Sequence, residues 1–212
     1  MLRFSFEKVK NVLLLGAHSD DIEIGCGGTI LKLASARPDL NVLWVVFSAN
    51  GKRRLEASSS ARLFLQGVGQ SKVVVKQFKE SFFPVQEESI KAYFEVLKKS
   101  FEPDIVFTHY RADRHQDHRV LSDLAWNTFR NHLILEYEIP KYDGDLGIPN
   151  LFVPLDEAVC RRKARHLCRM FGTQKSKHWF SEDTFLALMR LRGIECASQY
   201  AEAFHGRKVT CG

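Results

Sequence analysis

The chain has 212 residues, of which 45% are hydrophobic, and its 31 basic and 25 acidic side chains give a formal net charge of +6. This length and apolar content predict one globular domain, residues 1–212, with a sizeable core. The basic residues are scattered among the acids from Lys8 to Lys208, which argues against nucleic acid as a partner and leaves a modest bias toward anionic substrates.

Short aliphatic runs alternate along the chain with longer segments of helical periodicity. In chain order we predict strand 11–16, helix 28–36, strand 42–48, helix 54–66, strand 72–77, helix 86–100, strand 104–108, helix 117–131, strands 133–137 and 151–154, and helices 156–171 and 181–192. The pattern predicts the α/β class, as a single-domain Rossmann-like three-layer fold with a mostly parallel sheet and helices on both faces. The segment YDGDLGIPN, residues 142–150, predicts either a plain surface turn or a loop over a site.

The cysteine pattern and the N-terminus indicate where the protein works. Five cysteines without a C-x-x-C pair favour neither a disulfide framework nor a cysteine zinc site. The stretch MLRFSFEKVKNVLLLGAHSDD has an apolar run of about five residues, too short for a signal peptide or a membrane span. We therefore expect a cytoplasmic protein without an integral membrane segment.

The first polar cluster ends the first predicted strand, in LLLGAHSDDIEIGCGG. His18, Asp20 and Asp21 follow the carboxyl end of that strand, where open α/β sheets bind ligands. Imidazole and carboxylate are ligand types that suit Zn²⁺, and of two adjacent carboxylates one can bind metal while the other faces a water. The alternative is that Asp21 caps the next helix. The glycines lack the order of a dinucleotide or phosphate loop and favour a close approach of the helix to the sheet.

A second cluster, THYRADRHQDHRVL, follows another predicted strand and opens a helix, so it is expected at the same edge of the sheet. Within ten residues it contains His109, Asp113, His115, Asp117 and His118. Either His115 or His118 can complete a metal site with the first cluster, because spacing alone does not distinguish them. Asp117 is suited to accept an imidazole N–H and to fix a tautomer.

The motif AHSDDIEIGCGG together with RHQDH resembles the PIG-L/LmbE-like family of zinc-dependent N-acetylglucosaminyl de-N-acetylases, whose signatures are A-H-P-D-D and H-x-D-H. The two motifs lie in the first 120 residues or so, and YAEAFHG near the C-terminus is similar to that family's ending. The chain has Ser19 where the family commonly has Pro, and Ile22 where many members have a third acid. The resemblance implies one Zn²⁺ per chain, with His18, Asp21 and His118 as ligands.

The same resemblance implies the roles of the other motif residues. Asp20 is expected to be the general base, protonated His115 to face the developing oxyanion, and Asp117 to be the partner that orients a neighbouring group. The implied reaction is hydrolysis of the N-acetyl group of an N-acetylglucosamine-type sugar conjugate, a small molecule, which gives acetate and a free amino sugar. Self-association into a homo-oligomer is a further expectation from the family.

Substrate-binding residues are predicted after the second strand. Arg53, Arg54 and Asn50, in SANGKRRLEA, are candidates for sugar hydroxyls or a phosphate, with exposed charges at a helix start as the alternative. Core packing explains most of the aromatic residues, and Trp179 is the one tryptophan considered near a substrate. The competing functions are a sugar- or nucleotide-sugar-binding relative without turnover and a metal-dependent phosphoesterase, whose two-metal sites need more bridging carboxylates.

Overall fold

The structure, a computed structural model, describes residues 5–210 and shows one seven-stranded sheet between two layers of helices. The strands are β1 (Asn11–Gly16), β2 (Asn41–Val46), β3 (Gln70–Val75), β4 (Ile105–His109), β5 (Leu133–Tyr137), β6 (Leu151–Leu155) and β7 (Tyr200–Gly206). The helices are α1 (Asp21–Ala36), α2 (Gly51–Phe64), α3 (Glu87–Ser100), α4 (Gln116–Thr128), α5 (Glu157–Met170) and α6 (Glu182–Glu195). The predicted domain bounds, 1–212, extend past the described residues at both ends.

The sheet has the order β3-β2-β1-β4-β5-β7-β6. Neighbouring strands from β3 to β5 pair in parallel, and β7 is antiparallel to both β5 and β6. This confirms the predicted α/β fold with a mostly parallel sheet. Strands β2 and β3 are added in chain order on one side of β1, and the chain then crosses to β4 on the other side of β1. Loops that leave the carboxyl ends of β1 and β4 therefore diverge, and a ligand crevice is expected between them.

The two faces of β1 show why this strand is continuously apolar. Val12 and Leu14 belong to one cluster of buried side chains, which they share with α1, α2, α5 and α6. Leu13 and Leu15 belong to a second cluster, on the other face, shared with α3 and α4. Because successive side chains of a strand alternate between faces, a strand covered on both faces needs apolar residues at every position.

Helix α1 begins at Asp21, so the predicted start at residue 28 was wrong. The glycines that suggested a turn lie inside the helix, where it packs too closely for side chains. A Cβ atom at Gly25 would lie 2.1 Å from the ring of Tyr137, and one at Gly27 would lie 2.6 Å from Phe64. The helix therefore starts directly at the DD motif, which holds that motif rigidly at the end of β1.

Strand β7 was not predicted as a strand. Its segment YAEAFHG contains alanine and glutamate, which have low strand propensity, and its antiparallel pairing with β5 and β6 determines its conformation. Glu202 in this strand accepts the backbone N–H groups of Gly28 at 2.7 Å and Thr29 at 2.6 Å, and Lys163 of α5 donates to it at 2.6 Å. These bonds attach α1 and α5 to the C-terminal strand.

The helices of residues 5–210 include none with the length and apolar character needed to cross a bilayer. Four cysteines in this range have free thiols, namely Cys26, Cys160, Cys168 and Cys196. The fifth, Cys211, lies outside the described residues.

Candidate active site

Both sequence motifs lie where β1 and β4 end. These strands are neighbours in parallel register, from Val12 opposite Ile105 to Leu14 opposite Phe107. The first motif forms the turn from β1 into α1, and the second spans the end of β4 and the first turn of α4. The polar clusters therefore meet at one edge of the sheet, as their positions after strands predicted.

Three donor atoms from the two motifs converge at this edge. His18 Nδ1 lies 3.3 Å from Asp21 Oδ2 and 3.1 Å from His118 Nε2. His118 Nε2 lies 3.5 Å from Asp21 Oδ2. Ligands held at ~2.0–2.1 Å around a tetrahedral ion lie about 3.3–3.4 Å from one another. The donor types and their spacing therefore fit a small divalent cation such as Zn²⁺.

His109 also lies beside Asp21, with its Nε2 atom 3.3 Å from Oδ2, and a second group with metal-ligand spacing consists of Asp21, His109 and His118. The Nε2 atom of His109 accepts the backbone N–H of Ala17 at 3.0 Å. Because an imidazole nitrogen has a single in-plane lone pair, this atom is not free to bind a metal. We therefore take His18, Asp21 and His118 as the candidate ligands.

The remaining ring nitrogen of His18 is held by Asp117. His18 Nε2 lies 3.1 Å from Asp117 Oδ2, which leaves the Nδ1 lone pair facing the other candidate ligands. Asp117 is itself fixed by the backbone N–H groups of Ser81 at 2.6 Å and Phe83 at 3.1 Å. The side chain of Asp117 thus contacts His18, which is distant in sequence, and neither of the adjacent histidines; its orienting role stays a prediction.

The partner of His118 is Asp113. Its Oδ2 atom lies 2.9 Å from His118 Nδ1 and also 2.9 Å from Lys141 Nζ. Lys141 additionally pairs with Asp145 at 2.6 Å. The hydrogen bond to Asp113 places the ring proton of His118 on Nδ1, so that Nε2 is free to bind a cation. Asp113 lay inside the predicted cluster but was given no role, because nothing local indicated which histidine it faces.

His115 has a different protonation state from the one expected. It is the N-cap residue of α4, and its Nδ1 atom accepts the backbone N–H of Asp117 at 3.2 Å. An accepting Nδ1 leaves the ring proton on Nε2. Burial and the nearby charge of His18 also lower the pKa of His115. The ligand atoms of His18, His115 and His118 also have metal-ligand spacing. In the neutral ring of His115, however, Nε2 is a hydrogen-bond donor, so we take His118 and not His115 as the candidate ligand.

The pKa shifts of His18 and His118 indicate that the candidate ligands hold one positive charge between them. Burial alone would lower the pKa of His18, but Asp21 and Asp117 outweigh it and raise this pKa to about 10. Burial and the neighbouring His109 lower the pKa of His118 to about 3. The carboxylates therefore stabilise a single cationic charge among these buried side chains, where a bound cation would also be stabilised.

Asp20 is the carboxylate of this motif that is left outside the ligand set. Burial, together with the negative charge of Asp21, raises its pKa to about 6. The Ser19 hydroxyl, at the position where the family commonly has Pro, lies 3.4 Å from Asp20 Oδ1 and accepts from Arg53 Nε at 3.3 Å. Asp20 makes no side-chain capping bond at the start of α1, and neither does Asp21, whose Oδ2 accepts the backbone N–H of His18 at 2.6 Å. The capping interpretation is therefore wrong.

A cleft of about 580 Å³, including its open mouth, lies over the candidate ligands and Asp20. Its outer wall consists of Tyr142 with the adjoining loop and of Lys177 with Trp179. The Tyr142 ring contacts His178 at 5.1 Å and Trp179 at 6.4 Å between centroids, so the two segments pack against each other. The N-terminal part of the predicted loop 142–150 thus borders the cleft, and so does the one tryptophan considered near a substrate.

Of the three predicted substrate-binding residues, one lines the cleft and two do not. Arg53 lines the cleft, pairs with Glu80 and is about one-fifth exposed. Arg54 is exposed and does not line the cleft. Asn50 is the N-cap residue of α2, makes no side-chain capping bond and also does not line the cleft. The cleft is also lined by Glu80, Lys141 and Lys177, which lie in loops without a motif and so have no sequence signal.

Comparison with known families agrees with the resemblance stated from the motifs. A family model described as GlcNAc-PI de-N-acetylase, PIG-L, matches residues 13–129. Among curated proteins, the uncharacterized deacetylase YaiS of Escherichia coli (strain K12) is 29% identical over 145 residues, which are 64% of this chain and 77% of YaiS.

Solved structures share the fold over nearly the whole chain. The N,N'-diacetylchitobiose deacetylase from Pyrococcus horikoshii, complexed with its inhibitor MPG, has a TM-score of 0.70 and 24% identity, covering 94% of this chain and 84% of its own. GalB, the 4-carboxy-2-hydroxymuconate hydratase from Pseudomonas putida KT2440, has a TM-score of 0.73 and 17% identity, covering 96% and 99%. A deacetylase and a hydratase thus have this fold, and the reaction must be argued from the site.

Proposed function

This chain belongs to the PIG-L family, and on that premise we propose that it removes the N-acetyl group from an N-acetylglucosamine-type sugar conjugate with one bound zinc ion. The products are acetate and a free amino sugar. The proposal rests mainly on one observation. Two imidazole nitrogens and one carboxylate oxygen lie 3.1–3.5 Å apart beneath a cleft that Asp20, a further buried carboxylate, also lines.

The donor set supports a catalytic zinc site over a structural one. Catalytic zinc is commonly held by three protein ligands of mixed nitrogen and oxygen type, whereas structural sites are usually closed by four, often cysteines. When bound by His18, Asp21 and His118, zinc supplies a Lewis acid for the acetyl carbonyl and lowers the pKa of a coordinated water to about 7.

The side chains of this protein provide the proton transfers. Asp20 accepts a proton from the attacking water and delivers it to the departing amine nitrogen, so that one carboxylate serves as base and then as acid. Its pKa, raised by burial to about 6, keeps Asp20 largely ionised at neutral pH and still able to return the proton. His115 donates its Nε2–H to the carbonyl oxygen as that oxygen becomes negative.

The cleft provides contacts suited to a sugar. Arg53, held by Glu80 and Ser19, presents a guanidinium group to the cleft for sugar hydroxyls. Trp179 offers an aromatic face of the kind on which sugar rings stack, and Tyr142 stands beside it. Self-association, a cytoplasmic location and the absence of a nucleic-acid partner stay predictions.

The two alternative functions lack support of this kind. A two-metal phosphoesterase needs carboxylates that bridge the ions, and Asp21 is the single carboxylate among the candidate ligand atoms of residues 5–210. A binding protein without turnover would not need Asp20, yet this acid is present in the cleft.

The test is acetate release by the purified, zinc-loaded protein from a panel of N-acetylglucosamine conjugates. We expect turnover that a chelator abolishes, that added zinc restores, and that Asp20→Asn removes while zinc content stays unchanged. Hydrolysis of p-nitrophenyl phosphate without acetate release would favour the phosphoesterase. Zinc and sugar binding without acetate release across the panel would favour the binding protein.

A further inference from the structure

Two backbone groups in the middle of helix α1 are bonded to side chains from other parts of the chain. In an α-helix the N–H of each residue donates to the carbonyl oxygen four residues earlier. For Gly28 that carbonyl belongs to Ile24, yet the Gly28 N–H donates to Glu202 Oε1 at 2.7 Å. The Ile24 carbonyl in turn accepts from Lys163 Nζ at 2.6 Å. Because an N–H has one proton to donate, its short bond to the carboxylate weakens the regular helix bond at this point.

The two side chains that bond to the middle of α1 form a buried ion pair. Lys163 Nζ lies 2.6 Å from Glu202 Oε1, and each side chain is 3% exposed. The other oxygen of Glu202 accepts the N–H of Thr29 at 2.6 Å, so one carboxylate binds two consecutive N–H groups. Consecutive N–H groups free to bind an anion are a property of a helix N-terminus. Residues 21–27 therefore form a segment of α1 that precedes a second helix start at Gly28.

The approach of Glu202 to α1 requires glycine at position 28. A Cβ atom there would lie 2.9 Å from Glu202 Oε1 and 2.6 Å from Leu155 Cδ1, too close for a real side chain. One glycine of the GCGG motif is thus explained by the space that the carboxylate needs.

Segment 21–27 is also the part of α1 that belongs to the candidate active site. Its first residue, Asp21, is a candidate zinc ligand, and Ile24 lines the cleft together with Asp20. The Ile24 N–H donates to the backbone carbonyl of Asp20 at 3.0 Å. The backbone of Ile24 therefore connects the ammonium group of Lys163 to the backbone of Asp20.

We propose that Lys163 and Glu202 are positioning residues, which hold segment 21–27 so that Asp21 reaches the other ligands and Asp20 lines the cleft. This inference rests on the proposed function, because it concerns the geometry of the same site. Hydrogen bonds from charged groups are strong when they are buried, so the pair can keep α1 in this irregular form. A displacement of about 1 Å at a catalytic group can cost ~10²-fold in rate.

The test replaces the pair by apolar side chains of similar size, in the double variant Lys163→Met with Glu202→Leu. Removing both charges together leaves no buried charge unpaired. It also leaves the Gly28 N–H to bond to the Ile24 carbonyl as in a regular helix, which turns the segment. We expect zinc affinity to fall by ~10–100-fold in competition with a chelator. We also expect kcat for N-acetylglucosamine conjugates to fall by ~10²-fold with little change in KM, because the outer wall of the cleft belongs to other segments.

Leu167→Ala is the matched control for a loss of stability alone. Leu167 is a fully buried side chain of α5, the helix that bears Lys163, and its truncation removes only apolar contacts. It should lower the melting temperature while zinc affinity and kcat stay at the wild-type values. Gly28→Ala is a second variant, which keeps both charges but displaces the Glu202 carboxylate. It should lower zinc affinity in the same direction, and it decides the question if the double variant does not fold.

Crystal structures of the metal-free wild type and of the variant test the displacement without zinc or substrate. The distance between Asp21 Oδ2 and His18 Nδ1, 3.3 Å in the wild type, should change by about 1 Å. An unchanged position of Asp21, or a zinc affinity equal to that of the wild type, would overturn the positioning role even if acetate is released. A displaced Asp21 in the variant, with no acetate release by the wild type across the panel, would retain the positioning role and contradict the proposed function.

Discussion

The Nε2 atom of His18 lies 3.1 Å from Oδ2 of Asp117, a residue 99 positions further along the chain. This hydrogen bond fixes which nitrogen of His18 faces the other candidate ligands, and the same carboxylate accepts the backbone N–H groups of Ser81 and Phe83. One aspartate thus connects the turn after β1, the segment before α3 and the start of α4. The metal site depends on how these three segments pack.

Replacing Asp117 should weaken metal binding. Asp117 Oδ2 faces both His18 and the N–H of Ser81, and Oδ1 accepts the N–H of Phe83. In Asp117→Asn the NH₂ group must therefore face the N–H of Phe83 in one orientation, or His18 and the N–H of Ser81 in the other. We expect zinc affinity to fall by ~10–100-fold, measured by competition with a chromogenic chelator. Asp123→Asn, at an exposed position of the same helix, is the control. An unchanged affinity in Asp117→Asn would mean that His18 needs no partner to bind the metal.

Zinc should stabilise the folded protein through the candidate ligands. Because a ligand that binds only the folded state raises stability by mass action, adding zinc to the chelator-treated protein should raise its melting temperature. The increase should be lost in His118→Ala. It should be retained in His132→Ala, a partly buried histidine outside the site. A zinc-dependent shift that persists in His118→Ala would show that the metal binds elsewhere.

Asp20 should be required for turnover but not for zinc content. Asp20→Asn removes the proton acceptor while keeping the size of the side chain, and we expect kcat to fall by ~10³-fold with stoichiometric zinc still bound. Steady-state kinetics and elemental analysis of the same preparation measure the two properties. Loss of zinc in this variant would assign Asp20 to the ligands instead.

His115 should act on the transition state more than on binding. Its Nδ1 atom is used as the helix cap, so the Nε2–H is the group that a substitution removes from the cleft. In His115→Asn, an amide oxygen can still cap α4, and we expect kcat to fall by ~10²–10³-fold with little change in KM. If kcat/KM fell by the same factor only because KM rose, His115 would act in substrate binding instead. Circular dichroism checks that α4 stays folded.

Glu23 should make stability depend on pH. It is fully buried, and burial raises its pKa well above the ordinary value of 4.5, although the nearby Ser60 hydroxyl opposes this rise. The folded state therefore holds a proton that the unfolded chain releases. This contribution is fully present below about pH 4.5 and is lost as the pH rises toward the folded-state pKa.

The variant Glu23→Gln cannot ionise, so its melting temperature should fall less than that of the wild type between about pH 5 and about pH 8. Comparing the two proteins at each pH cancels the contribution of all other groups. Glu88→Gln, at an exposed position, should follow the wild type. Parallel melting curves for wild type and Glu23→Gln would mean that Glu23 is ionised in the folded protein.

The sequence by itself determined the class of the fold and the chemical character of the site. Alternating apolar strands and amphipathic helices allow few arrangements other than a parallel sheet with two helical layers, because each apolar face must be buried. Since the carboxyl ends of parallel strands share one edge, the motifs after β1 and β4 were expected to meet. Their histidines and aspartates already indicated a metal-binding hydrolase.

Tertiary structure alone decided how these residues are paired. The partner of His18 is Asp117, that of His118 is Asp113, and Lys141 lies behind Asp113. Each choice depends on a side-chain direction set by packing between segments that are distant in sequence, and spacing within a motif does not contain that information. The protonation of His115 follows for the same reason, since it depends on where the backbone N–H of Asp117 points.

The outer cleft was also decided by packing. The loop bearing Tyr142 and the segment bearing Lys177 and Trp179 have no motif, and they face the site because the chain returns over the ends of β1 and β4 between β5 and α6. Catalytic chemistry needs particular residue types at fixed spacing, which a sequence displays directly. A binding wall needs only surfaces brought close together, and that proximity exists only once the chain has folded.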